Sequence, residues 1–219
     1  MITAEKSRPW PQRRFLLMNL PFYPSIPVER FFLNILFLLV LGGLAGCATR
    51  HTVIIDPYVP VTSSQTGGGK KVGLKVVDSR KSNIIAKWSD KINLRKFDVV
   101  PDSDIIDTLD FKISEGLGRL GYYPKRNSGS LERLLTIELL LIHARYEEKL
   151  PNMKVQIKTA FHAECKNQGQ SYGKIYTDRK NLESTPASTF PNEKLINASL
   201  SNILLQMFSD PNLLDCLNH

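Results

Sequence analysis

From Lys71 onward the hydrophobic pattern changes period in a readable order. Val72, Leu74 and Val76 alternate with Gly73, Lys75 and Val77, which predicts a strand running into the polar turn Asp78 to Asn83. Ile92 and Leu94, then Phe97 and Val99, predict a second, kinked strand. After Pro101 the apolar positions Ile106, Leu109, Ile113, Leu117 and Leu120 take helical spacing, with Asp102 or Ser103 as cap and Gly121 as stop. Asp102, Asp104 and Asp107 sit in or near the first turn, where the helix dipole favours them without a metal. Leu135, Ile137, Leu139 and Leu141 then alternate with Thr136, Glu138, Leu140 and Ile142, a strand apolar on both faces and so central in its sheet. In the next strand Met153, Val155, Ile157, Thr159, Phe161, Ala163 and Cys165 face one way, while Lys154, Gln156, Lys158, His162 and Glu164 face the other. Asn167-Gln168-Gly169 turns this strand into a partner over Tyr172 to Thr177. After a Ser/Thr/Pro-rich loop at 184 to 191, Ile196, Leu200, Ile203, Leu204 and Met207 form a helical stripe ending before Pro211. The order strand, strand, helix, three strands, helix predicts an α+β domain: an antiparallel or mixed sheet of about five strands with two helices packed on one face.

The residues ahead of Lys71 read differently. Phe31 to Leu41 is an apolar run that follows Arg30 and enters Gly42-Gly43-Leu44-Ala45-Gly46-Cys47, the charged, apolar and small-residue order of a secretory signal. The run is short of the roughly 20 apolar residues that a spanning helix needs. Leu44-Ala45-Gly46-Cys47 also matches the bacterial lipobox, in which Cys47 receives a diacylglycerol and becomes the first residue. Residues 1 to 46 are therefore read as a signal peptide, with Met18 the better start because it leaves a leader of ordinary length. Residues 47 to 70, with Pro57, Pro60 and the polar run from Thr62 to Gly69, are read as the lipidated cysteine and a flexible tether. Gly67-Gly68-Gly69-Lys70 lacks the spacing of a phosphate loop. That leaves 71 to 219 as one working domain.

Charge shifts once the leader is set aside. The whole chain of 219 residues carries a net +8, which hints at nucleic acid; the leader takes five basic and two acidic residues with it, leaving 24 against 19 and a net +5. The remainder is spread out, so no nucleic-acid partner is expected. The membrane is the first partner. Each buried methylene contributes about 0.8 kcal/mol, so one acyl chain binds marginally while two or three, palmitate-like, anchor stably through Cys47. Ala48 at the next position lacks the Asp that retains lipoproteins in the inner membrane, which in a Gram-negative envelope places the anchor in the outer membrane, facing the periplasm.

Candidate chemistry is sparse. His162 and Cys165 face opposite sides of their strand and make a poor metal pair, and Glu147-Glu148 reads as a turn rather than an acid/base pair. Neither a Gly-x-Ser-x-Gly elbow nor a His-Glu-x-x-His occurs, so no catalytic residue, metal or cofactor is assigned. Asp78 and Arg80 read first as an ion pair locking a turn and second as a binding site. Lys154, Lys158 and His162 mark the wet face on which a partner could sit. Cys165 and Cys216 lie in a compartment that permits disulfides; they either bridge or stay as two buried thiols, and geometry decides.

Taken together, Cys47 after a lipobox, Asp78-x-Arg80 after the first strand, Leu120-Gly121-Tyr122 closing the first helix, Leu135-x-Ile137-x-Leu139 with Tyr146 beyond, Tyr172 in the hairpin and Met207-x-x-Asp210 at the end of the last stripe resemble the YajG family of uncharacterised bacterial lipoproteins. The resemblance covers most of 47 to 217 and implies an envelope lipoprotein with no assigned catalytic residue. The expectation is a lipid-anchored binding or adaptor module with an envelope protein partner. An accessory or scaffold subunit of an envelope transport or secretion complex is the alternative, and a cell-wall or lipid-acting enzyme comes third.

Overall fold

The computed structural model describes residues 49–89, 96–126, 131–149, 152–184 and 193–219. The leader, Cys47, the Ile92 and Leu94 part of the second strand and the loop from residue 185 lie outside the described residues.

Eight strands and three helices follow one another within the described residues. They are β1 (Thr49–Val53), β2 (Lys71–Asp78), β3 (Ala86–Ser89), β4 (Lys96–Pro101), α1 (Ile105–Arg119), β5 (Tyr123–Arg126), β6 (Arg133–Lys149), β7 (Asn152–Asn167), β8 (Gln170–Ser184), α2 (Glu193–Phe208) and α3 (Pro211–Asn218). The fold is α+β, as the periodicity predicts. A five-stranded mixed sheet has the order β5-β2-β6-β7-β8, with β2 parallel to both neighbours and β6, β7 and β8 an antiparallel meander. A smaller sheet of order β1-β4-β3 adjoins it, where the Ala144 amide donates to the Ile85 carbonyl at 2.8 Å.

The alternating positions of β7 behave as their pattern requires. Val155, Ile157, Phe161 and Ala163 are fully buried, whereas Lys158 is exposed and Lys154 and His162 are half-buried. The buried face packs against Leu109, Ile113 and Leu117 of α1 and Ile196, Leu200 and Leu204 of α2 in one apolar core. Gly116 allows the two helices to close, since a Cβ there would collide with the Phe208 ring. At Gly121 the backbone turns left-handed, φ 85°, and α1 ends as the glycine predicts.

Four local expectations are corrected first. The helix cap is Asp104, whose side chain accepts from the Ile106 amide at 2.8 Å, rather than Asp102 or Ser103. The strand β6 is central, the third of five as expected, but it is not buried on both faces: its register slips between Leu139 and Leu141, so Leu135, Ile137 and Leu139 face the core, Ile142 and Ala144 resume facing it, and Leu141 is 41% exposed. It also continues through Glu147 and Glu148 to Lys149 instead of turning there. Cys216 does not follow the last helix but lies within α3, a short helix capped by Asp210 and opened by Pro211.

The tether is the largest correction. From Thr49 the chain is part of the domain: β1 runs parallel to β4, and Val53, Ile55 and Val59 are at most 3% exposed. Asn197 of α2 holds the next stretch, accepting from the Asp56 amide and donating to the Ile54 carbonyl, each at 2.9 Å. Arg119 donates to the Val59 carbonyl at 3.0 Å. The glycine run is a turn rather than a spacer, with the Gly67 amide on the Leu120 carbonyl and the Gly69 amide on the Gly121 carbonyl, both at 2.8 Å.

Candidate functional site

Helices cover one side of the large sheet, and the other side presents the polar positions of β6, β7 and β8. Register fixes which side chains meet there. The turn Gln168-Gly169 has both residues at positive φ, 46° and 87°, the geometry of a tight hairpin that sets Asn167 opposite Gln170. Counting back along both strands, Lys154 lies between Glu147 and Glu183, and His162 between Glu138 and Ile175. His162 Nδ1 stands 3.5 Å from the Glu138 carboxylate. Lys158 is different: it lies between His143 and Arg179, all three exposed, in one cross-strand row. Side chains directly opposite on one sheet face are about 5 Å apart, so the Lys158 and Arg179 cations repel unless an anion sits over them.

His143 also lines a shallow cleft of about 720 Å³ beside β6, together with Ser82, Ile84, Lys87, Arg145 and Tyr146. The cleft and the row share that histidine. A basic strip thus crosses the domain from Lys87 through His143 and Lys158 to Arg179. His143 and Arg179 were not singled out from the sequence, yet the signal was present: the short turn after Asn167 dictates the Lys158–Arg179 pairing once β8 is continued past Thr177.

Asp78 and Arg80 take the structural role. Arg80 donates to both oxygens of Asp78, from Nε at 2.9 Å and Nη2 at 2.8 Å, and its backbone amide adds a third bond at 3.0 Å. The guanidinium holds the Asp78 carboxyl below its ordinary value. With the Arg80 side chain only 5% exposed, the pair locks the exit from β2 and is not part of the basic row.

Two further polar clusters lie between β8 and the helices. Asp210, its side chain 3% exposed, accepts on Oδ2 from Tyr172 at 3.1 Å, Lys174 at 2.6 Å and Tyr176 at 2.9 Å, while Oδ1 accepts from the Asn212 amide at 3.0 Å. Burial pushes this carboxyl up, but the bonds from Lys174, Tyr176 and Tyr172 outweigh it and bring it down to about 2. Burial and the adjacent Asp210 charge push the Tyr176 hydroxyl well above its ordinary value. In the second cluster Ser199 donates to Asp178 at 2.7 Å, and Asn202 does so at 2.6 Å. Ser199 has one proton to give, so Thr159, 2.8 Å away, must donate to it. At the far end of β7 a disulfide joins Cys165 to Cys216 with Cα atoms 6.3 Å apart, and Asn167 donates to the Cys216 carbonyl at 2.9 Å. Among the described residues no three His, Cys, Asp or Glu side chains gather as a metal site, and no helix is long and apolar enough to cross a membrane.

The described residues thus form an α+β layer pair whose buried carboxylates tie strands to helices and whose open sheet face carries one basic row among paired charges. The family model described as uncharacterized lipoprotein, Lipoprotein_16, matches residues 57–218, and the chain belongs to that family, the YajG family that the fixed residues resemble. It is therefore a lipoprotein. No curated protein matches the sequence. Among solved structures it is similar to a minor lipoprotein from Acinetobacter baumannii, at 12% identity over 64% of this chain and 89% of that one, TM-score 0.38. A putative neuraminyllactose-binding hemagglutinin homolog from Helicobacter pylori is 9% identical over 74% of this chain and 97% of that one, TM-score 0.41. Lipoprotein GNA1162 from Neisseria meningitidis is 9% identical over 64% and 99%, TM-score 0.32. Likenesses at this level carry no argument about activity.

Proposed function

We propose that the protein is anchored through acylated Cys47 at the periplasmic face of the outer membrane and acts as a binding or adaptor module, without catalysis of its own, for an acidic envelope protein. The observation that carries this reading is the row His143–Lys158–Arg179, which has no carboxylate in register with Lys158. A folded domain tolerates such a row at a cost in stability, and an anionic partner surface relieves it. Each carboxylate with shifted acidity or burial is already engaged: Asp78 by Arg80, Asp110, which burial pushes up, by Arg126 at 2.7 Å, Asp178 by Ser199 and Asn202, and Asp210 by three donors.

A photo-crosslinking amino acid placed in living cells at Lys154 or His162, the neighbours that flank the row, tests the reading. A discrete adduct is expected from each position. The double change Lys158→Glu and Arg179→Glu is expected to lower its yield about tenfold, the equivalent of about 1.4 kcal/mol. The absence of any adduct from this face, with the protein folded and membrane-bound, refutes the binding role.

A further inference from the structure

The loss of the tether decides which end of the domain meets the bilayer, and the inference rests on Cys47 carrying the lipid. Only Ala48 separates Cys47 from Thr49, the first residue of β1. Two residues of fully extended chain reach no more than about 7 Å. An acylated Cys47 therefore holds the beginning of β1 at the membrane surface.

The residues at that end are set by the register of the small sheet. Thr49 pairs with Phe97, which pairs with Trp88, and the next step outward pairs Lys96 with Ser89. One step inward, Arg50 and Lys87 flank Asp98. Arg50, Lys87 and Lys96 are exposed, giving three cations against one carboxylate. Trp88 and Phe97 stack there with ring centroids 5.2 Å apart. Basic side chains within a few ångströms of an anionic leaflet are attracted to it, and aromatic rings favour the headgroup level.

We propose that this end of the β1-β4-β3 sheet is a membrane-docking surface, on which Arg50, Lys87 and Lys96 bind anionic phospholipid headgroups with the Trp88–Phe97 pair at the interface. The domain then stands on the bilayer in one orientation. The small sheet joins β6 at Ala144, whose partner Ile157 is ten residues from Asn167, so the Gln168-Gly169 turn lies roughly 33 Å along β7 from that junction, and in the proposed orientation it and α3 stand clear of the lipid. The basic row is left facing sideways, open to a partner in the periplasm.

The chain supplies its own reporter. Of its two tryptophans, Trp10 leaves with the leader, so the mature lipoprotein contains Trp88 alone. The mature acylated protein is reconstituted into phosphatidylethanolamine/phosphatidylglycerol vesicles whose acyl chains are brominated close to the headgroup, and its emission is compared with that in unbrominated vesicles. The emission is expected to fall by about half, the behaviour of an interfacial ring. In the triple variant R50E/K87E/K96E, whose sites are exposed and whose fold is checked by circular dichroism, quenching is expected to disappear while the protein still floats with the vesicles. Gln170→Trp in a Trp88→Phe background is expected to stay unquenched. Trp88 left unquenched on protein that floats overturns the docking alone, quenching that survives the charge reversal overturns the role of the basic residues, and quenching at position 170 overturns the orientation. Protein that lacks acyl mass and does not float overturns the Cys47 reading and the docking with it.

Discussion

A single carboxyl ties the end of the molecule together. Asp210 caps α3 through Oδ1 and accepts three side-chain bonds from β8 on Oδ2, so one carboxylate joins the edge strand to the last helix. Tyr172 and Asp210 were both legible as fixed points of the sequence, but their meeting was not, because they are 38 residues apart and only the packing of helix on sheet brings them within 3.1 Å. The folded carboxyl titrates near 2, while an unfolded aspartate titrates near its ordinary value of about 3.9. Between those values the unfolded chain binds the proton and the folded one does not, so the contribution is complete above about pH 5 and is lost as the pH falls toward 2. Its size is on the order of 2 kcal/mol. Asp210→Asn retains the cap oxygen but removes the charge that Lys174 and the two tyrosines face. Urea unfolding is expected to show the variant about 2 kcal/mol less stable at pH 7, with the gap closing by pH 2. A gap that stays constant over that range would show that the charge contributes nothing.

Among the elements, the two long helices and the hairpin were readable and the interruption in β6 was not. Periodicity locates α1, β7 and α2 because each has one buried stripe, and such stripes survive without knowledge of the neighbours. A bulge hides in a run of leucines, where residues of either parity look equally apolar. Strict alternation from Leu139 puts Leu141 in the core and Ile142 outside; the slip in register reverses both, leaving Ile142 3% exposed and Leu141 41% exposed. Leu141→Ala is therefore expected to cost under about 0.5 kcal/mol, as a surface change does, and Ile142→Ala about 2 to 4 kcal/mol, as a core truncation does. Thermal unfolding of the two variants tests the order, and a larger loss for Leu141 would restore the uninterrupted strand. α3 escaped notice for another reason. Eight residues give too few turns for a stripe to stand out, and its place is fixed by the Cys165–Cys216 bridge and by Tyr122 donating to Asn218 at 2.9 Å, contacts made across the whole domain.

For the molecule as a whole, the boundary between anchor and domain matters most, and there the composition misleads. The glycines and hydroxyl residues before Lys71 have the makeup of a linker, yet residues 52 to 59 carry a period-two signal: Val53, Ile55, Pro57 and Val59 are buried while Thr52, Ile54, Asp56 and Tyr58 are exposed. That stretch closes one side of the core and supplies acceptors to the rest, Val53 to the Asp102 amide and Val59 to Arg119, both at 3.0 Å. Burying each of the three aliphatic side chains contributes about 1.5 to 3 kcal/mol, so together they supply on the order of 5 kcal/mol, as much as the entire net stability of a modest domain. A chain beginning at Lys71, where the alternating pattern first becomes obvious, is thus expected to bind a hydrophobic dye and to unfold without a cooperative transition. One beginning at Ala48 is expected to unfold cooperatively in urea. Equal midpoints and equal dye binding for the two chains would return residues 49 to 70 to the role of a tether and release the domain from the bilayer.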